Sequence, residues 1–229
     1  MEQIKALTFD LDDTLWDNRP VLMAAEQTLY DWLARHYPRI GQHYSLEDLR
    51  ELRMDLVRQQ PELGHNMTQL RKFSLRSAAY TAGYDDSLVE PAFEIFIKAR
   101  HRITLYDDVI PALKIFKQAG YRIASMTNGN ADVKRLGLDH LFEFSLSAET
   151  IGRGKPHPQI FHAACRHAAI QPHQLAHIGD DPTTDLVGGQ AAGVKVIWMN
   201  RLRHPRAAGM ELDAEVHSMS ELLALFNLC

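Results

Sequence analysis

Short apolar runs that end in acidic or hydroxyl-bearing loops, with helical stretches between them, constrain this chain more than any other feature. The first run, residues 4–11, is too short for an ordinary helix and fits a buried strand. Residues 121–126, 144–146, 175–178 and 194–199 repeat the pattern much later in the chain. Between these runs, residues 111–118 read as a helix with Pro111 in its first turn and Gly120 as its stop. Residues 158–169 and 220–226 are also helical, and Ser218 and Glu221 stand at capping-box spacing before the second of these. Strands alternating with helices imply a parallel sheet with helical crossovers.

Residues 20–102 break this rhythm, offering several helical segments and no strand. Leu29, Trp32 and Leu33 recur at helical spacing in residues 24–36. Ser45, with Asp48 three residues on, opens a helix striped by Leu49, Leu52 and Leu56. Thr68 opens another that ends at Gly83, and Ser87 a fourth carrying Leu88, Phe93, Phe96 and Ile97. The expected organisation is a Rossmann-like α/β core from residues 1–16 and 105–229, with an all-helical insert over residues 17–104.

Composition narrows the function classes. Among 229 residues, 45% hydrophobic and 24% charged content is ordinary for a globular protein. A net charge of −4 argues against a nucleic-acid partner, which calls for a basic face. The two cysteines, Cys165 and Cys229, are too few and too far apart for a disulfide framework, and neither sits in a nucleophile's constellation. No stretch reads as a secretory signal or as a membrane span, so the expectation is a cytoplasmic protein acting on a small molecule.

The chemistry concentrates at strand ends. Asp10, Asp12 and Asp13 precede Thr14 and Leu15 directly after the first strand. Ligands of open α/β sheets sit outside the carboxyl ends of strands. Carboxylates this close repel unless compensated, and a hard divalent cation such as magnesium suits them; a plain polar turn is the alternative. Gly179, Asp180, Asp181, Pro182 and Asp185 follow another strand, where Asp185 could instead cap the next helix. Two acidic strand-end loops in one sheet point to a shared ion. Thr127, Asn128 and Gly129 offer a hydroxyl and backbone N–H groups suited to an oxyanion, although Thr127 alone also reads as a helix cap. Lys155 lies in a loop, exposed by its composition, that the surrounding glycines and prolines direct.

These residues resemble the haloacid-dehalogenase-like phosphohydrolases. Asp10-x-Asp12-x-Thr14 resembles that family's first motif, Thr127 its second, Lys155 its third, and Gly179-Asp180 through Asp185 its fourth. All four occur in family order, and the insert falls where the family places its helical cap. The resemblance implies that Asp10 attacks phosphorus, giving an aspartyl-phosphate, while Asp12 acts as acid and then base. It implies Mg2+ held by Asp10, the Asp12 carbonyl and Asp180, with Asp185 behind them or ligating through water. Thr127 and Lys155 would hold the phosphate, helped by backbone N–H groups near Leu11 and Asn128.

By the same resemblance, the leaving group is chosen by the cap and its approaches. Trp16 and residues 66–76, Arg71 among them, are the candidates there, with Trp16 offering a ring to stack on a planar group; Trp32 and Phe73 fit the cap's own core. The pattern is most similar to bacterial phosphatases acting on flavin mononucleotide or on the phosphorylated ribityl-pyrimidine of riboflavin biosynthesis. A phosphosugar mutase and a broad sugar-phosphate or nucleotide phosphatase share the core motifs. A haloacid dehalogenase needs neither Asp12 nor Asp180, and a non-catalytic module would have lost a carboxylate.

Overall fold

The computed structural model describes residues 3–228; Cys229 and the first two residues of the N-terminal stretch lie outside it. The chain divides into two compact units, one made of residues through Asp17 and from Thr104 onward, the other of Asn18–Ile103.

The first unit is built on a parallel six-stranded sheet. Its strands are β1 (Ala6–Phe9), β2 (Arg122–Thr127), β3 (Phe144–Ser147), β4 (Leu175–Gly179), β5 (Lys195–Met199) and β6 (Ala214–Val216), in the order β3-β2-β1-β4-β5-β6. Five of them fall on the apolar runs; β6, three residues at the edge, has no such run. The chain steps outward from β1 to β2 and β3, then returns to its other side for β4, β5 and β6. This reversal leaves a crevice at the carboxyl ends of β1 and β4. Phe9 pairs with Ser125 on one side and Ile178 on the other, so the loops after β1, β2 and β4 begin at nearly one level.

Alternate residues of β1 feed the two faces of the sheet. Ala6 joins a cluster with Ile160, Phe161, Leu175 and Val196, buried under the helix Pro158–His167. Phe9 turns to Phe116 of the helix Val109–Gln118, with ring centroids 6.3 Å apart. Phe116 in turn packs edge-on against Phe226 at 5.4 Å. Each such fully buried ring contributes roughly 1.5–3 kcal/mol over leaving it exposed. The final helix, Met219–Leu225, starts at Ser218, whose Oγ accepts from the Glu221 N–H at 3.1 Å. The expected capping box is displaced, because the Glu221 carboxylate takes the His217 N–H at 2.8 Å.

The second unit is helical throughout its regular structure: Asn18–His36, Pro38–His43, Leu46–Gln59, Met67–Thr81 and Val89–Arg100, with two short 3-10 turns. Leu29, Leu33, Ile40, Leu75, Phe93 and Phe96 form its core, with Trp32 packed against its margin and Phe73 left 40% exposed. Ser45 and Asp48 close the capping box that their spacing predicts: Asp48 N donates to Ser45 Oγ at 3.1 Å, and Ser45 N to Asp48 Oδ2 at 2.8 Å. The fourth helix starts one turn position earlier than expected, because Asn66 Oδ1 accepts from Gln69 N at 2.9 Å and leaves Thr68 inside the first turn. Asp85, not Ser87, caps the turn before the last helix, accepting the Ser87 N–H at 2.9 Å.

Within this unit Glu26 is buried and bound by both Arg50 and Arg53, with Arg71 Nη2 at 3.3 Å. Burial alone would raise the Glu26 carboxyl, but Arg53, Arg50 and Arg71 together hold it below its ordinary range. Arg71 also lies 3.4 Å over the Phe96 ring and is only 7% exposed. It serves this unit's interior, which corrects the expectation of a residue free to select a leaving group.

Candidate active site

Asp10 is the first residue past β1, and its N–H donates to Ile178 O at 2.8 Å, extending the ladder by one rung. The loop beyond is anchored by Leu11, Leu15 and Trp16, all without exposed surface, while Asp12 is half-buried between them. Asp13 takes a left-handed backbone (φ 60°), which Asp tolerates better than most residues. Leu15 N donates back to Leu11 O at 2.9 Å and closes the loop. Trp16 presents no ring face to solvent, and its indole Nε1 is buried without a hydrogen-bond partner. The expected stacking role therefore has no exposed ring to act through.

The loop after β4 enters a π-helical turn, Pro182–Val187. Asp181 caps it, Oδ1 accepting the N–H groups of Thr183 and Thr184 at 2.8 and 2.7 Å. That leaves Asp185 free of capping and turned inward. A Cβ on Gly179 would overlap the Asp185 carboxyl, so only glycine permits this approach. Asp185 Oδ1 meets His177 Nε2 at 2.8 Å, and Oδ2 accepts the Asp181 N–H at 3.0 Å. His177 Nδ1 is 2.9 Å from Thr8 Oγ1. Burial, outweighing the pull of Asp185, lowers the His177 pKa and favours the neutral ring.

Lys155 occupies the centre. Its Nζ stands 2.6 Å from Asp10 Oδ1, 2.6 Å from Asp185 Oδ1 and 3.2 Å from Met126 O. The side chain is 2% exposed, which corrects the reading of its loop as open to solvent. Asn128 fixes the backbone there from both sides: Nδ2 donates to Lys155 O, and Lys155 N donates to Oδ1, each at 2.7 Å. Gly154 leaves room for that carboxamide, and the Lys155–Pro156 peptide is cis. Thr127, last in β2 and buried, accepts the Gly129 N–H on Oγ1 at 2.9 Å, forming a local turn where a helix cap was the alternative.

Two carboxylates, Asp10 and Asp185, thus contact one ammonium, and Asp180 joins them as a third acid nearby. One ligand oxygen each from Asp10, Asp180 and Asp185 lies within 4.8 Å of the others. Burial pushes Asp10 well above the usual carboxylate range; Asp185 and Asp180 add to this and Lys155 opposes it. Burial, then Asp185 and Asp13, raise Asp180 to about 7, even with Thr14 Oγ1 donating to its Oδ1 at 3.2 Å. Asp185 stays ionised: burial works against it, but Lys155 and His177 prevail. Lys155 is likewise held as a cation by Asp10 and Asp185 against its burial. Hard oxygen donors with this surplus of negative charge fit a divalent cation such as magnesium, which would return both raised acids to the carboxylate form.

The structure adds residues that sequence reasoning missed. His177 passed as part of an apolar run, although a lone imidazole in the buried strand Leu-Ala-His-Ile-Gly was a visible signal. The Asn128 side chain was passed over for its backbone. Cys165 is free and buried, and burial raises its thiol, as an inert cysteine requires.

Comparison with known proteins agrees with this geometry. The family described as haloacid dehalogenase-like hydrolase matches residues 4–193. The chain is 33% identical over 201 residues to the 5-amino-6-(5-phospho-D-ribitylamino)uracil phosphatase YigB of Escherichia coli (strain K12), covering 86% of this chain and 84% of that one. It is 30% identical over 157 residues to a phosphoserine phosphatase of Thermus thermophilus, covering 66% and 63%. A solved structure described as a 2-haloacid dehalogenase from Pseudomonas syringae pv. Tomato DC3000 superposes with a TM-score of 0.92 at 40% identity, covering 98% of each chain. With its sheet order, its four loops and these matches, the chain is an enzyme that belongs to the haloacid dehalogenase-like hydrolase family.

Proposed function

We propose that this enzyme is a phosphoric monoester hydrolase that uses Asp10 as its nucleophile on a small phosphometabolite. The observation that carries the reading is the meeting of Asp10, Asp180 and Asp185, three acids close together, two of them in contact with the buried Lys155. An Asp10 oxygen attacks phosphorus, the P–O bond to the leaving group breaks, and Asp12 gives that oxygen a proton. Water then attacks the aspartyl-phosphate, Asp12 takes its proton, and Asp10 and inorganic phosphate are released. Lys155 and Thr127, with the N–H groups near Leu11 and Asn128, hold the phosphoryl oxygens. Asp10, the Asp12 carbonyl and Asp180, with Asp185 behind them or ligating through water, would hold Mg2+, which would supply charge neutralisation at those oxygens.

The helical unit Asn18–Ile103 serves in this reading as a cap that selects the leaving group. For the substrate we favour flavin mononucleotide or 5-amino-6-(5-phosphoribitylamino)uracil, since YigB is named for the second. Placement in riboflavin biosynthesis and in the cytoplasm follows from that choice. The dehalogenase reading draws on the Pseudomonas structure's name; a reaction that releases halide from carbon has no use for Asp180 as a cation ligand. Phosphate release from flavin mononucleotide, the ribityl-pyrimidine phosphate, sugar phosphates and nucleotides, with and without magnesium, tests the proposal. Halide release from 2-chloropropionate is the counter-assay. Magnesium-independent halide release without phosphatase activity would overturn it.

A further inference from the structure

We propose that Arg201 is a positioning residue for the site, anchored by Asp108 and gripping the loop after β1 at the Thr14 carbonyl. Arg201 lies two residues past β5, and its guanidinium is engaged on three sides. Nε donates to Thr14 O at 2.9 Å. Nη1 and Nη2 donate to Asp108 Oδ2 and Oδ1 at 3.2 and 3.0 Å, a two-pronged pair. The cation also sits 4.0 Å from the centroid of the Tyr106 ring. Asp108 is fixed from behind, because its Oδ2 accepts the Met219 N–H at 2.8 Å at the start of the last helix. The Arg201 and Asp108 side chains are 11% and 23% exposed, well below what a loose surface pair would show.

The grip falls where the catalytic loop most needs it. Thr14 follows Asp13, whose left-handed backbone is still less favourable than the right-handed one even for Asp. The Thr14 hydroxyl is the group that reaches Asp180, at 3.2 Å from Oδ1. On the next residues, Tyr106 N donates to Leu15 O at 3.0 Å, and Trp16 bridges to Leu105. Arg201 therefore fastens the segment 104–108 and the loop 10–16 to each other and to the end of β5. Its effect on chemistry passes through Thr14 to the orientation of Asp180. Lysine would keep the charge but not the planar fork that holds both Asp108 oxygens while Nε serves Thr14 O. This inference rests on the reading of Asp180 as a cation ligand.

The test uses the full chain with Arg201→Met, Arg201→Lys, Asp108→Asn and the double variant Arg201→Met with Asp108→Asn. Magnesium affinity is read on the resting protein by isothermal titration calorimetry, separately from turnover. Arg201→Met should weaken magnesium binding and lower kcat by ~10–100-fold, as outer-sphere changes do, with KM shifted by less than about threefold. Arg201→Lys should not recover either quantity. Asp108→Asn should move both in the same direction by less, and the double variant should lose no more than Arg201→Met, because the pair acts as one unit. Variants with lower melting temperature but wild-type magnesium affinity and kcat would reduce Arg201 to a structural brace and overturn the proposal. Should Arg201→Met fail to fold, Thr14→Val reads the same link from its other end. Normal magnesium affinity in that variant overturns the proposal equally. Wild-type protein that binds no magnesium would defeat the site reading itself, a result distinct from variants that match an active wild type.

Discussion

Lys155 and Asp10 form a buried ion pair, Nζ to Oδ1 at 2.6 Å, so the proposed nucleophile and the proposed phosphate-binding cation are one electrostatic unit. Replacing Lys155 with Ala removes the ammonium on which both Asp10 and Asp185 depend. Breaking a buried pair from one side costs about 3–5 kcal/mol, and loss of phosphoryl stabilisation should lower kcat by at least ~10²-fold. Urea unfolding and phosphate release should both report large losses. A variant of wild-type stability would show that the two carboxylates are served by another cation.

Asp10→Asn isolates chemistry from folding. The amide keeps the shape and removes one of three crowded acids, so stability in chelator should hold or rise. Turnover should fall by at least ~10³-fold, since an amide cannot form the acyl-phosphate. Phosphate release above a tenth of the wild-type rate, with deamidation excluded by mass spectrometry, would remove Asp10 from the nucleophile's role.

Gly179→Ala tests how closely Asp185 must approach the chain. The added Cβ meets the Asp185 carboxyl and must displace it, at a cost of about 1–3 kcal/mol for overpacking. Because Asp185 also holds Lys155 and His177, the magnesium requirement should rise together with the loss of stability. Unchanged magnesium dependence in calorimetry would separate Asp185 from the cation site.

The helical unit carries its own pH dependence through Glu26. Its folded pKa is lowered from the ordinary value of 4.5, so its stabilising contribution is full above that value and is lost as pH falls through the folded pKa. Glu26→Gln, leaving three arginines without their carboxylate, should cost about 3–5 kcal/mol at neutral pH. The gap between wild type and variant should narrow as pH drops below 4.5. A gap that stays constant to pH 3 would mean that packing, not charge, is what the variant loses.

Much of this was legible in the sequence because it was local. Apolar runs gave five strands, and Ser45 with Asp48 gave a capping box that forms as read. The edge strand Ala214–Val216 escaped because only Val216 is buried and no run of apolar residues marks it. Lys155 was misplaced for a different reason. Glycine and proline signal a turn, but its burial comes from Asp10 and Asp185, contacts that no local pattern contains. Arg201 shows the same limit, meeting Asp108 and Thr14 from 93 and 187 residues away. Its role follows from strand order, which fixes what the loop after β5 can touch.

The central place of β1 has a consequence for synthesis. Its neighbours on either side begin at Arg122 and Leu175, so the strand that leads into Asp10 leaves the ribosome long before either partner exists. At ~5–20 residues per second, β1 waits on the order of ten seconds for its first neighbour. During that interval Asn18–Ile103, a compact unit in its own right, can condense while β1 remains an unpaired apolar segment. The middle of the sheet is then completed late, through pairings of high sequence separation, which are intrinsically slow to form. Nascent chains stalled before Leu175 should therefore engage chaperones through β1, and full-length chains should bury it only as β4 docks.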